Sequence, residues 1–204
     1  MARENRERLK HLPTVNLISS PGAGKTTLLE RTIQALRGEV NVGVIEGDIY
    51  TTRDAERIAG QGAAVVQVNT AGLCHLDANM VGRALDQLDL AGLDLLFIEN
   101  VGNLVCPAEF DLGEDYKVAL LSVAEGGDKP VKYPLVFRES QAVVINKSDL
   151  LAYTDFDINK VQEEIRTINP DILIFVTSAA TGEGTEGWYA WLREIVRKKR
   201  SATG

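Results

Sequence analysis

Cysteine, histidine, methionine and tryptophan occur only twice each in this chain of 204 residues. Two cysteines cannot build the disulfide framework of a small secreted domain, so a hydrophobic core must hold the fold. No apolar run approaches the ~20 residues that cross a bilayer. The first dozen residues, MARENRERLKHL, are charged rather than apolar and do not read as a secretory signal. Positive charge is also short: the net charge is −7, which argues against nucleic acid, whose phosphates need a basic surface. Basic residues do gather at the two ends, Arg3, Arg6, Arg8 and Lys10, then Arg193, Arg197, Lys198, Lys199 and Arg200. Solvated helix ends account for both groups. The expectation is a cytoplasmic protein with no membrane and no nucleic acid among its partners.

With 45% of its residues hydrophobic, the chain can bury one sizeable core. Short apolar runs at Val15–Ile18, 40–45, 63–68, 93–98, 118–123, 142–145 and 172–176 read as strands. Between most of them lie helical periodicities, among them Leu28, Leu29, Ile33 and Leu36, a short helix around Arg53–Ala59, and Leu76, Met80, Val81, Ala84, Leu85 and Leu88. Val161, Ile165 and Ile168 mark another helix, and residues 186–199 a closing one with Trp188 and Trp191. Strands apolar on both faces, alternating with helices, predict an α/β fold: a mostly parallel sheet of about seven strands with helices on both faces, in three layers. Residues 13–200 are expected to form this single domain, and residues 1–12 a peripheral arm. Residues 99–116 hold few periodic apolar positions and read as a long functional loop.

Ligands of such sheets bind at the carboxyl ends of the strands, and the polar clusters fall there. Ser19-Ser20-Pro21-Gly22-Ala23-Gly24-Lys25-Thr26-Thr27 joins the first strand to the first long helix. The turn Pro21–Thr27 can cradle a phosphate with the successive N–H groups that follow Pro21 and with the helix N-terminus; Lys25 reaches the β/γ-phosphates and the Thr26 hydroxyl can ligate Mg²⁺. This is a P-loop, with Ser19 where the G-x-x-x-x-G-K-[ST] pattern has glycine. Glu99-Asn100-Val101-Gly102 ends a buried strand, where an acidic residue would hold Mg²⁺ directly or through water and the Gly102 N–H would touch the terminal phosphate. Asp48 is the other magnesium candidate. Asn103 stands where some GTPases place a water-orienting glutamine, so hydrolysis is expected to be slow. Arg53 and Arg57 read as surface charges. Asn146-Lys147-Ser148-Asp149 is an N-K-x-D sequence late in the chain. Its Asp149 can accept from guanine N1–H and N2–H₂, a pair that adenine lacks; Lys147 can cover the ring and Asn146 brace the loop. Ser178-Ala179-Ala180 can add a backbone N–H to guanine O6. GTP and GDP are therefore the expected nucleotides.

Both cysteines and one histidine lie near these elements. Cys74-His75 precedes the helix expected from about Leu76, where a thiol is readily a thiolate, and Cys106 falls four residues after Gly102. Thiolate and imidazole suit Zn²⁺ or Ni²⁺. Three ligands leave a tetrahedral shell open, to be completed by water, by Asp77, or by a second chain across a two-fold axis. From spacing alone, two small apolar residues and an exposed imidazole fit equally well.

As a set, SSPGAGKTTLLE, EGDIYTTRDAERI, NTAGLCHLDANM, FIENVGNLVCPAEFDLGE, GGDKPVKYP and INKSDLL resemble the hydrogenase nickel-incorporation GTPases, accessory proteins for [NiFe]-hydrogenase. The resemblance runs from Val15 to the closing helix. It implies a GTPase that dimerises around nucleotide and carries a zinc or nickel site at the dimer interface, formed here by Cys74, His75 and Cys106. It further implies a nickel metallochaperone partner and the hydrogenase large subunit. The N-terminal cysteine motif and histidine-rich tract of some members have no counterpart in residues 1–14. The related urease accessory GTPase uses Cys-Pro-His, whereas here Cys74 and His75 are adjacent and proline follows Cys106, which favours the hydrogenase branch. Two other readings stand beside this one. One is a metal carrier in which nucleotide only stabilises the dimer, and the other is a kinase-like phosphotransferase supported by the P-loop alone.

Overall fold

The fold is described from a computed structural model covering residues 1–48 and 53–203. Ile49–Thr52, within the EGDIYTTRDAERI motif, lie outside the described residues. In chain order the elements are α1 (Ala2–Arg8), β1 (Thr14–Ser19), α2 (Lys25–Leu36), β2 (Val42–Asp48), α3 (Arg53–Ala59), β3 (Ala64–Asn69), α4 (Ala78–Leu85) and β4 (Leu95–Glu99). They continue with α5 (Cys106–Glu109), β5 (Tyr116–Ser122), α6 (Lys129–Lys132), α7 (Pro134–Glu139), β6 (Ala142–Asn146), α8 (Ile158–Ile168), β7 (Leu173–Val176) and α9 (Glu186–Thr203).

The seven strands form one sheet in the order β3-β2-β4-β1-β5-β6-β7, and every pairing is parallel. The sheet is thus wholly rather than mostly parallel. Its strands read as continuous apolar runs because both faces are covered. Val15, Leu17, Leu95, Phe97, Val118 and Leu120 pack against α2 and α9 on one face. On the other, Ile18, Ala119, Leu121, Val143 and Ile145 meet α7 and α8, while Ile45, Leu96 and Ile98 meet α4. The crevice beyond β1, between β4 and β5, is where the chain's order diverges and where ligand sites form in such sheets.

Three expectations change. Residues 1–12 are not peripheral: Leu9 and Leu12 are buried in the α4 cluster, and Asn5 donates to Ala78 O at 2.8 Å and Leu112 O at 2.9 Å. Asn5, Leu9 and Leu12 recur at i, i+4 and i+7, a helical face hidden among charged residues. Helix α4 begins at Ala78, because Asp77 caps it by accepting the Met80 N–H at 2.8 Å. Segment 99–116 is not all loop: it contains α5 and is pinned by buried Leu104, Ala108 and Leu112. Among the described residues no helix is long and apolar enough to cross a membrane.

Trp188 of α9 is fully buried and donates its Nε1–H to Thr32 Oγ1 of α2 at 3.0 Å. Thr32→Val keeps the shape and leaves that indole N–H without its acceptor. It is expected to lower stability by about 1–3 kcal/mol, read by denaturant unfolding; an unchanged midpoint would show that the bond contributes nothing.

Candidate functional site

The P-loop occupies the expected crevice. Gly24 caps α2, which starts at Lys25, so the first helical N–H groups face a cleft of about 530 Å³ lined by Pro21, Gly22, Lys25, Thr26, Thr27 and residues of β2, α3 and the β4 end. Lys25 Nζ donates to Ser19 Oγ at 2.9 Å. Ser19 itself ends β1 in extended backbone and is not among the described positions of positive φ, so the strand needs no glycine there. Its hydroxyl instead gives the lysine an acceptor. Burial pulls the Lys25 ammonium below its ordinary value, opposed by Glu99, Asp54 and Glu46.

Thr26 Oγ1 donates to Glu99 Oε1 at 2.9 Å, while the buried Glu99 Oε2 has no hydrogen-bond partner. Across the β2–β4 register Glu99 stands beside Glu46, which is 3% exposed and whose Oε2 is likewise unpartnered. Burial raises Glu46 to about 8, with Glu99 and Asp48 adding to it, and raises Glu99 to about 7 against the pull of Lys25. Two unpartnered carboxylate oxygens beside a threonine hydroxyl fit a divalent cation bound with the nucleotide. Glu46 was not read from the sequence. Its signal is a carboxylate directly after the apolar run Val42–Ile45, two residues before the more conspicuous Asp48 at the strand end. Asp48 also lines the cleft.

Gly102 lies directly against the P-loop: a Cβ there would stand 2.9 Å from Pro21 Cα. Only glycine lets the segment after β4 approach this closely. Asn103 does not face the phosphates as a free amide, since its Oδ1 accepts the Val105 N–H at 2.8 Å. Arg57 is exposed and ion-paired to Glu30 and Asp54, yet it also lines the cleft and reaches Thr27 Oγ1 at 3.4 Å.

The N-K-x-D residues close the far side. Asn146 braces the loops, donating to Ala23 O at 3.0 Å and accepting the Ala179 N–H at 2.9 Å. In this arrangement that bond occupies the N–H expected to meet guanine O6. Lys147, at φ 62°, donates to Gly22 O at 2.7 Å, which lays its stem between P-loop and base site. Asp149 Oδ1 accepts from the Ser178 hydroxyl.

On the opposite side of segment 99–116, the ligand atoms of Cys74, His75 and Cys106 lie within 4.8 Å of one another. Asp77 is not among them, because its carboxylate caps α4. The neighbouring Cys74 sulfur raises the Cys106 thiol above its ordinary value; a coordinated metal would reverse this by holding the thiolate. His75 stacks on Phe110, with ring centroids 3.9 Å apart. Leu73, Val105 and Phe110 form an exposed apolar rim.

The buried carboxylates set a pH dependence. Without nucleotide or cation, the folded chain keeps protons on Glu46 and Glu99 that the unfolded chain releases above the ordinary value of 4.5. Stability is therefore expected to fall as pH rises from about 4.5 to about 8. Glu46→Gln should flatten that slope in thermal unfolding, and an identical slope would contradict the assignment.

The description of a CobW/HypB/UreG nucleotide-binding domain matches residues 13–176. Hydrogenase maturation factor HypB of Azotobacter chroococcum mcd 1 is 55% identical over 94% of this chain and 63% of its own length. The Escherichia coli K12 protein of the same name is 51% identical over 94% of this chain and 67% of its own length. This chain thus spans somewhat under two thirds of the Azotobacter relative. A crystal structure of HypB from Helicobacter pylori in complex with nickel superposes with a TM-score of 0.92 at 38% identity, covering 98% of this chain and 94% of that one. The matched span takes in the P-loop, Glu99–Gly102, both cysteines and Asn146–Asp149, and the chain belongs to the CobW/HypB/UreG family of nucleotide-binding domains.

Proposed function

We propose that this chain binds and slowly hydrolyses GTP, and that its nucleotide state controls a nickel or zinc site in the service of nickel insertion into [NiFe]-hydrogenase. The observation that carries this reading is the shared segment 99–116. Gly102 lies against the P-loop, and four residues on Cys106 joins the sulfur–imidazole cluster. The names of the relatives and the nickel bound to the Helicobacter pylori neighbour support the destination of the metal.

Lys25 and the N–H groups of Gly22–Thr27 hold the phosphates, and Asp149 selects guanine. Thr26, Glu99 and Glu46 or Asp48 would hold Mg²⁺, which offsets the charge that gathers between the β- and γ-phosphates. Gly102 reports whether the terminal phosphate is present. The segment it begins then repositions Cys106 relative to Cys74 and His75. Three ligands within an apolar rim leave a tetrahedral shell open, and a second copy facing it completes it, which makes the functional unit a homodimer. A nickel metallochaperone and the hydrogenase large subunit are the partners of this reading, and the cytoplasm its compartment.

Single-turnover GTP hydrolysis is expected to be slow but measurable, and lower by about 10²-fold or more in Lys25→Ala. Hydrolysis undetectable in the unaltered chain would favour the metal-carrier alternative. Metal stoichiometry should fall in both Cys74→Ser and Cys106→Ser; equal content in all three proteins would overturn the site.

A further inference from the structure

Leu76 follows the metal pair directly and is held from two sides. Its side chain is fully buried against β2, where a Cβ at residue 47 would stand 2.8 Å from Leu76 Cγ and Cδ1. Gly47 separates Glu46 from Asp48, so Leu76 rests on backbone between two carboxylates of the nucleotide cleft. The Leu76 N–H donates to Asn100 Oδ1 at 3.0 Å. Asn100 is 1% exposed and immediately follows Glu99. Its own N–H donates to Leu17 O of β1 at 3.1 Å, and its Oδ1 also accepts the Val101 N–H at 3.0 Å.

The rest of the amide is equally occupied. Asn100 Nδ2 donates to Asn16 Oδ1 at 3.2 Å, and Asn16 Nδ2 donates to Glu114 Oε1 at 3.1 Å. Glu114 Oε2 accepts the Leu112 N–H at 2.7 Å. This buried, satisfied network joins both ends of segment 99–116 to the central strand and to the residue after His75. Neither cysteine nor histidine chemistry requires an asparagine at this point, and Asn100 lies between the two sites, since it also lines the nucleotide cleft.

We propose that Asn100 is the positioning residue through which the nucleotide-facing end of β4 sets the geometry of the Cys74–His75 pair, an inference that rests on the nucleotide-gating reading above. Glu99 and Gly102 flank Asn100, so a change at either moves its amide. A buried N–H is costly to leave without an acceptor, so the Leu76 backbone follows Asn100. The same segment already carries Cys106 and, through the Phe110 stack, His75. Asn100 therefore completes the control of all three ligands by one element with two arrangements.

The test is a nickel titration of the full chain loaded with GDP or with a non-hydrolysable GTP analogue, followed by thiolate-to-nickel charge-transfer absorption. In the unaltered chain the two nickel affinities are expected to differ by at least about fivefold. In Asn100→Ala nickel still binds both forms, but their ratio falls to within about twofold of one. A merely structural role would weaken both affinities and leave the ratio intact. A ratio preserved in Asn100→Ala overturns the proposal and spares the gating reading. A ratio of one in the unaltered chain overturns both. Should Asn100→Ala fail to fold, Asn16→Ala removes only the Nδ2 partner of Asn100. Its ratio should fall by at least about twofold, and an unchanged ratio there overturns the proposal equally.

Discussion

A carboxylate buried at the end of a central strand is the constraint from which this site follows. Glu99 is 4% exposed, faces Glu46 across the parallel register, and is bonded through one oxygen to Thr26. Two like charges in a desolvated crevice cannot both be held cheaply without a cation, and Lys25 alone does not neutralise them. Burial raises both carboxyl groups above their ordinary range, which favours their protonated forms. A divalent ion bound with the nucleotide would fill the cation's role, with Glu99 and Thr26 as the residues to hold it.

The same strand end reaches the cysteine–histidine cluster because Asn100, which also lines the cleft, bonds the residue after His75. Glu99 turns toward Thr26, while Asn100 bonds Leu76, the residue after the Cys74–His75 pair. Parallel sheets place such ends side by side, so β2 contributes both Glu46 to the cleft and Gly47 as the bed of Leu76. Close packing makes this useful: where a Cβ does not fit, backbone displacement on one side must be answered on the other. The exposed cysteine–histidine cluster is accordingly supported from beneath by buried polar residues, although its own side chains meet solvent.

Much of this was legible in the sequence because local chemistry announced it. The P-loop and Asn146–Asp149 are recognisable from residue type and spacing, and their order along an alternating α/β pattern puts them at strand ends; spacing alone leaves the Cys-His pair open, and the family resemblance singles it out. Other features depend on tertiary context. Glu46 looked like a lapse in an apolar run until the register set it beside Glu99. Asn100 looked like a filler between Glu99 and Gly102. The burial of Asn5 is masked by the charged residues around it, and Asp77 stands as one of three ways to complete the metal shell until α4 is seen to start at Ala78 with Asp77 as its cap. Ser19, a departure from the usual glycine, became intelligible only once Lys25 was seen to donate to its hydroxyl.

Coupling between the two sites is reciprocal by thermodynamic necessity, so it can be read from the nucleotide as well as from the metal. The most direct measurement is the affinity of the unaltered chain for a non-hydrolysable GTP analogue, with and without one equivalent of nickel per chain. If Glu99 and Asn100 tie the cleft to the cysteine–histidine cluster, nickel shifts that affinity by at least about fivefold and leaves GDP affinity less affected. Identical analogue affinities with and without nickel would contradict the link.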